Sequence, residues 1–572
     1  MDAELRDRIE RAAEEHALFN ALKHDADADM GAIMGPLMGD HPEFREHGAE
    51  IPPIIQPVVA AVNDRPPEER RERLAELAPT LLAELDADDD PDPQPALPAL
   101  PKAGAVEQVR MRCAPNPNGP WHIGNARMPA VIGTYKDQYD GWFCIRFDDT
   151  DPETKRPLLD AYDWILEDLA YLGFEADEVY LASERLETYY EYACQLIDLG
   201  GAYTCDLPGE EFSALKNAGE PSPNRSKEPA VVREEFDRMV DGEYTPGEMV
   251  LRVRTDIEHK NPALRDWVAF RIIDRPHPRP AAAAYRCWPL LDFQSGIDDH
   301  VLGITHIIRG IDLQDSAKRQ QFLYEYFDWT YPEVLHWGHV NVDKYDIPMS
   351  TSAIVERINA GQVSGWDDPQ VPTLRSLFRR GIRGTAIVEA MIELGVSTSS
   401  VDLAMSTIYA NNRERIDATT DRLFFVADPV TRSLRGEHPA AGHPPWHPTE
   451  ARGTRTVPVD EELLIEAADR PRPGERVWLK GLGCFREADA TFVWVGDDID
   501  VVREEDVPVI HWVPAASAID VIVERPDGTD YGVAEPAIDQ IEPDTMLQFE
   551  RYGFVRVDET SSDGVVVYFA HD

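Results

Sequence analysis

A strand, a Pro/Asn/Gly-rich turn and the start of a helix follow one another between Arg112 and Arg127, and this junction constrains the fold more than any other segment. It reads RCAPNPNGPWHIGNAR. Where a chain enters a helix, free backbone N–H groups and the positive end of the helix dipole converge, and glycine lets a polyphosphate approach closely. His122 adds a donor there. The junction therefore predicts phosphate chemistry, although by itself it also fits an ordinary turn with a solvent-facing histidine.

The chain is too long for one hydrophobic core, since 572 residues exceed what a single core usually supports. Composition and apolar spacing predict its regions. These are a helical N-terminal domain at 1–85, an acidic, Pro-rich linker at 86–104, two halves of an α/β domain at 105–204 and 286–354, an insertion at 205–285, a helical region at 355–420 and short strands at 421–572.

The α/β region is predicted to contain a βαβ unit, with strands at Val106–Met111 and Trp142–Phe147 and a helix at Ala126–Tyr139. Strands are also predicted at Trp288–Phe293 and Thr305–Ile308, flanking the segment Asp298-Asp299-His300. Other predicted helices are Glu4–Leu22, Glu69–Leu85, Leu158–Leu172, Glu184–Leu199 and the region Pro372–Asp417. Beyond Asp421, short alternating strands between Gly/Pro turns are typical of β-barrels.

The formal charge of −50 comes from 106 acidic and 56 basic residues. A polyanionic RNA would be repelled at low ionic strength, but at about 1 M salt the Debye length is ~3 Å and the repulsion is mostly screened. The charge is spread evenly, which argues against a disordered acidic tail. We interpret it as adaptation to a cytoplasm with multimolar salt, with general solubility as the alternative.

Cysteine usage and the N-terminus favour a cytoplasmic protein with reduced thiols. The six cysteines stand singly, at positions 113, 144, 194, 205, 287 and 484, with no C-x-x-C pair. No apolar run approaches the ~18 to 20 residues of a membrane span. The acidic, amphipathic start lacks the basic and apolar regions of a secretory signal.

Four segments resemble the glutamyl/glutaminyl family of class I aminoacyl-tRNA synthetases. The junction is similar to the family's HIGH signature, with Asn125 in place of the second histidine. RFDDTDP from Arg146 is similar to an amino-acid-binding segment, and WPLLDFQSGIDDH from Trp288 with GITHIIRG from Gly303 to a second one, although Leu291 replaces the family's tyrosine. DKYDIPMSTSAI from Asp343 stands where the family has its mobile KMSKS loop, without the lysines of that loop.

Further likeness at 261–267 and 365–375 extends this resemblance over nearly the whole chain. It implies an α/β fold: a class I, Rossmann-like catalytic domain with an α+β acceptor-stem insertion at 205–285. The resemblance also implies an N-terminal helical domain, a helical connector at 355–420 and C-terminal all-β anticodon-binding barrels of the archaeal and eukaryotic type at 421–572.

The resemblance implies a role for each candidate site residue. The catalytic residues would be His122, Gly124 and Asn125, with His122 and the Gly124 backbone acting on the α-phosphate. The amino acid would be bound by Arg112, Asp148, Ser295 and Arg309, with Asp148 on the α-amino group. ATP would be bound by Ala114, Asn116, His122, Met349, Ser350, Thr351 and Ser352, aided by Lys344 or Arg357.

The implied reaction is the ATP-dependent joining of L-glutamate to tRNA(Glu) through glutamyl-adenylate, with Mg²⁺ accompanying ATP and no structural zinc. Charging of tRNA(Gln), and docking of another protein on the N-terminal helices, are left open. One alternative is a glutaminyl-tRNA synthetase, which Arg309 disfavours because glutaminyl enzymes carry an uncharged residue at the matching place. The other is a retired synthetase acting as an RNA-binding protein, which only the lysine-poor loop supports.

Overall fold

The computed structural model describes residues 3–23, 51–63, 65–78, 97–343, 345, 349–562 and 564–572, together with positions 28, 30, 33, 34, 37, 44 and 81. It divides into two compact units, Met1–Ala96 and Leu97–Asp572. The described part of the first unit contains helices α1 (Ala3–Lys23), α2 (Pro52–Asn63) and α3 (Pro67–Leu77). Glu14 of α1 pairs with Arg65 at 2.8 Å and with Arg73 of α3 at 3.1 Å, which ties these elements together.

The second unit opens with a parallel sheet. Its elements are β1 (Arg110–Cys113), α4 (Arg127–Tyr139), β2 (Trp142–Phe147), α5 (Leu159–Tyr171), β3 (Glu178–Leu181) and α6 (Leu186–Asp198), with sheet order β1–β2–β3. The predicted βαβ unit is therefore present. The first strand begins at Arg110, later than predicted, because residues 106–108 bend after the 3-10 turn at Ala103–Ala105. Leu97 and Leu100, which the sequence assigned to the linker, are buried in the core of this unit.

An antiparallel sheet with its own apolar core interrupts the parallel sheet. Its strands, in chain order, are β4 (Ala202–Cys205), β5 (Val250–Val253), β6 (Val268–Ile272) and β7 (Cys287–Pro289). Between β4 and β5 the chain forms two helices, α7 (Gly209–Ala218) and α8 (Pro229–Val240). The predicted strand Trp288–Phe293 is wrong beyond Pro289, because helix α9 (Leu291–Val301) begins there and carries Asp298 and Asp299. A short apolar run does not distinguish a strand from a buried helix.

The parallel sheet resumes after α9 with β8 (His306–Gly310), α10 (Gln314–Phe327) and β9 (Glu333–Trp337), β8 and β9 being parallel. The N–H of Thr305, just before β8, donates to the carbonyl of Arg110 in β1 at 2.9 Å, so β8 lies beside β1. Next come β10 (Val340–Val342), α11 (Thr351–Asn359), α12 (Leu374–Arg379), α13 (Gly384–Glu393), β11 (Val401–Leu403) and α14 (Met405–Ile416). β10 and β11 pair in parallel, so the predicted helical region also contains a strand.

Beyond residue 420 the structure is rich in short strands. They are β12 (Asp421–Leu423), β13 (Phe425–Val426), β14 (Pro429–Arg435), β15 (Ala441–Gly442), β16 (Val457–Pro458), β17 (Glu462–Glu466), β18 (Arg476–Leu479), β19 (Gly483–Ala488), β20 (Thr491–Gly496), β21 (Val509–Ile510), β22 (Val513–Pro514), β23 (Ile519–Arg525), β24 (Gly528–Ala534), β25 (Met546–Phe549), β26 (Gly553–Ser561) and β27 (Gly564–His571), with one short helix, α15 (Asp500–Glu504).

These strands form two seven-stranded sheets, β12–β25–β26–β27–β23–β24–β13 and β21–β18–β19–β20–β14–β17–β22. In the first sheet only Phe424 separates the two edge strands in the chain, so the sheet curls nearly into a barrel. Each sheet encloses its own apolar core.

Candidate active site

Two neighbouring cavities lie at the carboxyl ends of β1, β2 and β8, the edge where parallel sheets bind ligands. The first measures about 580 Å³ and is lined by His122, Gly124, Asn125 and Met349, among others. The second measures about 720 Å³ and is lined by Arg112, Ala114, Asn116, Asp148, Ser295 and Arg309, among others. Gly310, Asp312 and Trp337 line both, so the two cavities adjoin.

The predicted phosphate-binding junction is held in place by its backbone. The Trp121 N–H donates to the buried Asp168 carboxylate at 2.8 Å, and the Ile123 N–H to the Pro372 carbonyl at 2.8 Å. Asn125 Oδ1 accepts from the His122 N–H at 3.3 Å. The turn therefore keeps its shape without a second histidine.

His122 presents a neutral imidazole. Burial lowers its pKa to about 4, and Nδ1 has no hydrogen-bond partner among the described residues. A Cβ at Gly124 would lie 3.2 Å from the His122 ring and 3.5 Å from Met349 Cε. Glycine thus leaves room between the histidine and the methionine, where a phosphate could approach the backbone.

The loop predicted to bind nucleotide meets this junction. A Cβ at Gly119 would lie 2.8 Å from Thr351 Cγ2, at the start of α11. Met349 lines the first cavity, whereas Ser350 and Ser352 are exposed and line neither cavity. Of the two cations expected to assist, Arg357 lies on α11 and Lys344 falls outside the described residues.

A buried ion-pair network forms one wall of the second cavity. Asp299 accepts from Arg112 through both carboxylate oxygens, at 3.0 and 3.2 Å, and from Arg146 Nη1 at 2.8 Å. Burial alone would raise the pKa of Asp299, but Arg112 and Arg146 hold it below its ordinary value. Arg146 also donates to Asp148 at 2.9 Å.

Asp148 is fixed from several sides. Its carboxylate accepts from Gln294 Nε2 at 3.0 Å, its N–H donates to the Pro115 carbonyl at 2.9 Å, and its own carbonyl accepts from Asn116 Nδ2 at 2.9 Å. The end of β2 is thereby bonded to the turn after β1. The Asp148 carboxylate is thus held in one orientation at the cavity wall, where it is suited to bind an ammonium group.

Arg309 differs from Arg112 and Arg146, the two other buried arginines that line this cavity, because it has no carboxylate within 4 Å among the described residues. Its Nη2 donates to Gln320 Oε1 at 3.2 Å and to the Tyr331 hydroxyl at 3.1 Å, and its Nε has no described partner. Burial lowers its pKa below the ordinary value for arginine. A buried cation held only by neutral groups is suited to an anionic ligand.

Sequence reasoning assigned no role to four residues of this site, Arg146, Asp299, Gln320 and Tyr331. Arg146 and Asp299 stood inside strings that resemble the family. The available signals were the place of Arg146 near the end of a predicted strand and the place of Asp299 in an Asp-Asp pair. Gln320 and Tyr331 lay outside every such string. Leu291, where a tyrosine was expected, lies at the rim of the second cavity and is 38% exposed.

Comparison with known families agrees with this architecture. Residues 108–418 match the family described as tRNA synthetases class I (E and Q), catalytic domain, and residues 420–493 and 509–558 match its anticodon-binding domains. The chain belongs to the class I E/Q tRNA synthetases. The family expected from the sequence is thereby confirmed, and its members use ATP.

Three curated relatives are each named glutamate–tRNA ligase. Those of Natronomonas pharaonis and Haloarcula marismortui are each 62% identical to this chain, and that of Methanothrix thermoacetophila is 44% identical. Each alignment covers 100% of this chain and 100% of the relative. The similarity therefore extends beyond the catalytic region to both ends of the chain.

Two further observations concern membranes and metals. None of the described helices has both the length and the apolar composition needed to cross a bilayer. Within the described ranges, no group of three or more His, Cys, Asp or Glu side chains is arranged to hold a metal ion. All six cysteines are described, and each is a free thiol.

Proposed function

We propose that this chain joins L-glutamate to tRNA(Glu) in two steps, forming glutamyl-adenylate from ATP and then transferring the glutamyl group to the terminal ribose of the tRNA. The observation that carries the choice of amino acid is Arg309, a buried guanidinium without a carboxylate partner among the described residues. A fixed cation pairs with a substrate carboxylate in a charge-assisted way that a neutral amide cannot match. The names of the relatives support the same choice.

Asp148 would receive the α-amino group of glutamate, since Arg146 and Gln294 keep its carboxylate oriented at the cavity wall. Arg309 would pair with the side-chain carboxylate of glutamate, and the Ser295 hydroxyl would contact the substrate from the wall of the same cavity. Arg112 would act with them on the carboxylate side, and its pairing with Asp299 keeps it in place. No covalent enzyme intermediate is needed, because positioning and charge stabilisation suffice for in-line chemistry at phosphorus.

ATP would occupy the first cavity. The α-phosphate would lie against His122 and the Gly124 backbone, with Asn125 supporting the turn. Ala114 and Asn116, which line the second cavity, would bind ATP where it meets the amino acid. The backbone of Met349, which lines this cavity, and the hydroxyls of Ser350, Thr351 and Ser352 beside it would bind the triphosphate. The proximity of Thr351 to Gly119 brings this loop to the His122 junction. Asp312, which lines both cavities, would offer a carboxylate oxygen to the Mg²⁺ that accompanies ATP.

The tRNA would contact several regions. We assign the acceptor stem to the insertion at 205–285, the anticodon to the β-rich region at 421–572 and the connection between them to 355–420. The domain boundaries at 85, 104, 204, 285, 354 and 420 stay predictions. A protein partner for the N-terminal helices, the absence of structural zinc and a cytoplasmic location also stay predictions. The charge of −50 would repel tRNA at low ionic strength, so we expect tRNA binding in concentrated salt, where that repulsion is screened.

The test is charging of purified tRNA(Glu) by the purified chain in molar potassium chloride, with glutamate or glutamine and with or without ATP. We expect ATP-dependent charging with glutamate. Charging of tRNA(Gln) with glutamine, without charging of tRNA(Glu), would identify a glutaminyl enzyme. Binding of tRNA without charging by either amino acid would identify a retired synthetase. Charging of tRNA(Gln) stays a prediction, and the same assay with that tRNA tests it.

A further inference from the structure

Gln320 occupies the centre of a buried hydrogen-bonded group behind the second cavity. Its Oε1 accepts from Arg309 at 3.2 Å and from the Tyr331 hydroxyl at 2.6 Å, and its Nε2 donates to Ser295 Oγ at 2.6 Å. The side chain is 0% exposed. A Cβ at Gly296 would lie 3.3 Å from Gln320 Cγ, so a glycine on the facing helix α9 makes room for it.

Donor and acceptor chemistry fixes the orientation of this amide. A guanidinium can only donate, so the amide atom that faces Arg309 must be oxygen. The amide nitrogen therefore faces Ser295, whose Oγ accepts and keeps its own hydrogen for another acceptor. Since Ser295 and Arg309 both line the second cavity, one glutamine orients two donors toward the same ligand space.

The neutrality of Gln320 matters as much as its geometry. The two other buried arginines that line the second cavity, Arg112 and Arg146, each pair with Asp299. Gln320 instead supplies an oxygen acceptor without a negative charge, so Arg309 is held still while its charge remains available to a ligand.

We propose that Gln320 is a positioning residue that sets the preference for glutamate over glutamine, by orienting Arg309 and the Ser295 hydroxyl without neutralising the cation. The inference depends on the proposed function, in which Arg309 meets the side-chain carboxylate of the substrate. Gln320 itself does not contact the substrate in this arrangement.

The test compares Gln320→Glu, Gln320→Met and the control Gln321→Glu, which makes the same chemical change at the adjacent exposed position of α10. Charging of tRNA(Glu) is measured with glutamate and with glutamine, and folding is followed by thermal melting. We expect Gln320→Glu to lower kcat/KM for glutamate by about a hundredfold, mainly through KM, because a carboxylate now pairs with Arg309. Activity with glutamine should change much less, so the preference ratio falls.

Gln320→Met keeps the volume but removes the acceptor, so we expect a loss of about tenfold for glutamate and again a lower ratio. If Gln320→Glu does not fold, the glutamate-to-glutamine ratio of Gln320→Met alone tests the proposal. Gln321→Glu should keep the wild-type ratio. If the folded Gln320 variants also keep that ratio while the wild type charges glutamate, the inference is overturned. If the wild type does not charge glutamate at all, the proposed function itself is overturned.

Discussion

Arg112 and Asp299 form a buried, bidentate ion pair, with Nε 3.0 Å from Oδ1 and Nη2 3.2 Å from Oδ2. The Arg112 side chain is 5% exposed and that of Asp299 0%. The pair joins β1 to α9, on either side of the inserted antiparallel sheet. It thereby connects the two halves of the catalytic region at the wall of the amino-acid cavity.

Asp299→Asn should be strongly destabilising, because it leaves Arg112 and Arg146 without the anion that both now contact. Breaking a buried pair by removing one partner costs about 3 to 5 kcal/mol. Denaturant unfolding in concentrated salt measures the loss. The control is Asp328→Asn, at an exposed left-handed position that asparagine also tolerates, and an equal effect of the two substitutions would contradict the assignment.

This pair also marks the limit of what the sequence could predict. The βαβ unit, the junction at His122 and the strand-rich end followed from apolar spacing and turn residues, which act locally. Arg112 and Asp299 are 187 positions apart, and only the folded chain brings them together. The same holds for Gln320 with Ser295. The strand predicted at Trp288–Phe293 was wrong beyond Pro289, because an apolar run of that length suits either type of element.

Asp168 should make the stability of the protein depend on pH. Burial raises its pKa to about 7, although the Trp121 N–H and Arg375 oppose the shift. The folded state then keeps a proton that the unfolded state releases near its ordinary pKa of 3.8, so the free energy of unfolding should fall as pH rises from about 4 to about 7. Each pKa unit corresponds to ~1.4 kcal/mol.

Asp168→Asn should abolish this decline, because the amide oxygen still accepts from Trp121 and cannot titrate. Urea unfolding at several pH values compares it with the wild type. Asp163→Asn, at an exposed position of the same helix, is the matched control and should keep the decline. Parallel curves for Asp168→Asn and the wild type would show that Asp168 carries no such coupling.

His122→Ala should reduce adenylate formation by about a hundredfold or more with little change in glutamate affinity, because a donor to the transition state is removed. The pKa of about 4 means that His122 is already neutral above pH 5, so the wild-type rate should show no acid limb near pH 6.5 from this residue. Single-turnover rates from pH 5.5 to 8.5 test both statements. His443→Ala, exposed in the C-terminal region, serves as control, and unchanged turnover in His122→Ala would remove His122 from the site.

The net charge of −50 predicts a requirement for salt. At 0.1 M salt the Debye length is ~10 Å, so repulsion among neighbouring carboxylates is only partly screened and destabilises the compact state. We expect the melting temperature and the charging activity to rise together as potassium chloride is increased from 0.1 M to several molar. A maximal melting temperature and full activity at low salt would contradict the prediction.

The choice between amino acids should change most in Arg309→Cys. The side-chain carboxylate of glutamate would lose a charge-assisted partner in a buried cavity, at a cost of ~2 to 4 kcal/mol, while neutral glutamine would lose much less. The ratio of the two kcat/KM values should therefore approach one or invert. Arg112→Cys offers the contrast: Arg112 already pairs with Asp299, so its loss should impair folding and both substrates together. If Arg309→Cys kept the wild-type ratio and Arg112→Cys lowered it, Arg112 and not Arg309 would be the residue that distinguishes glutamate from glutamine.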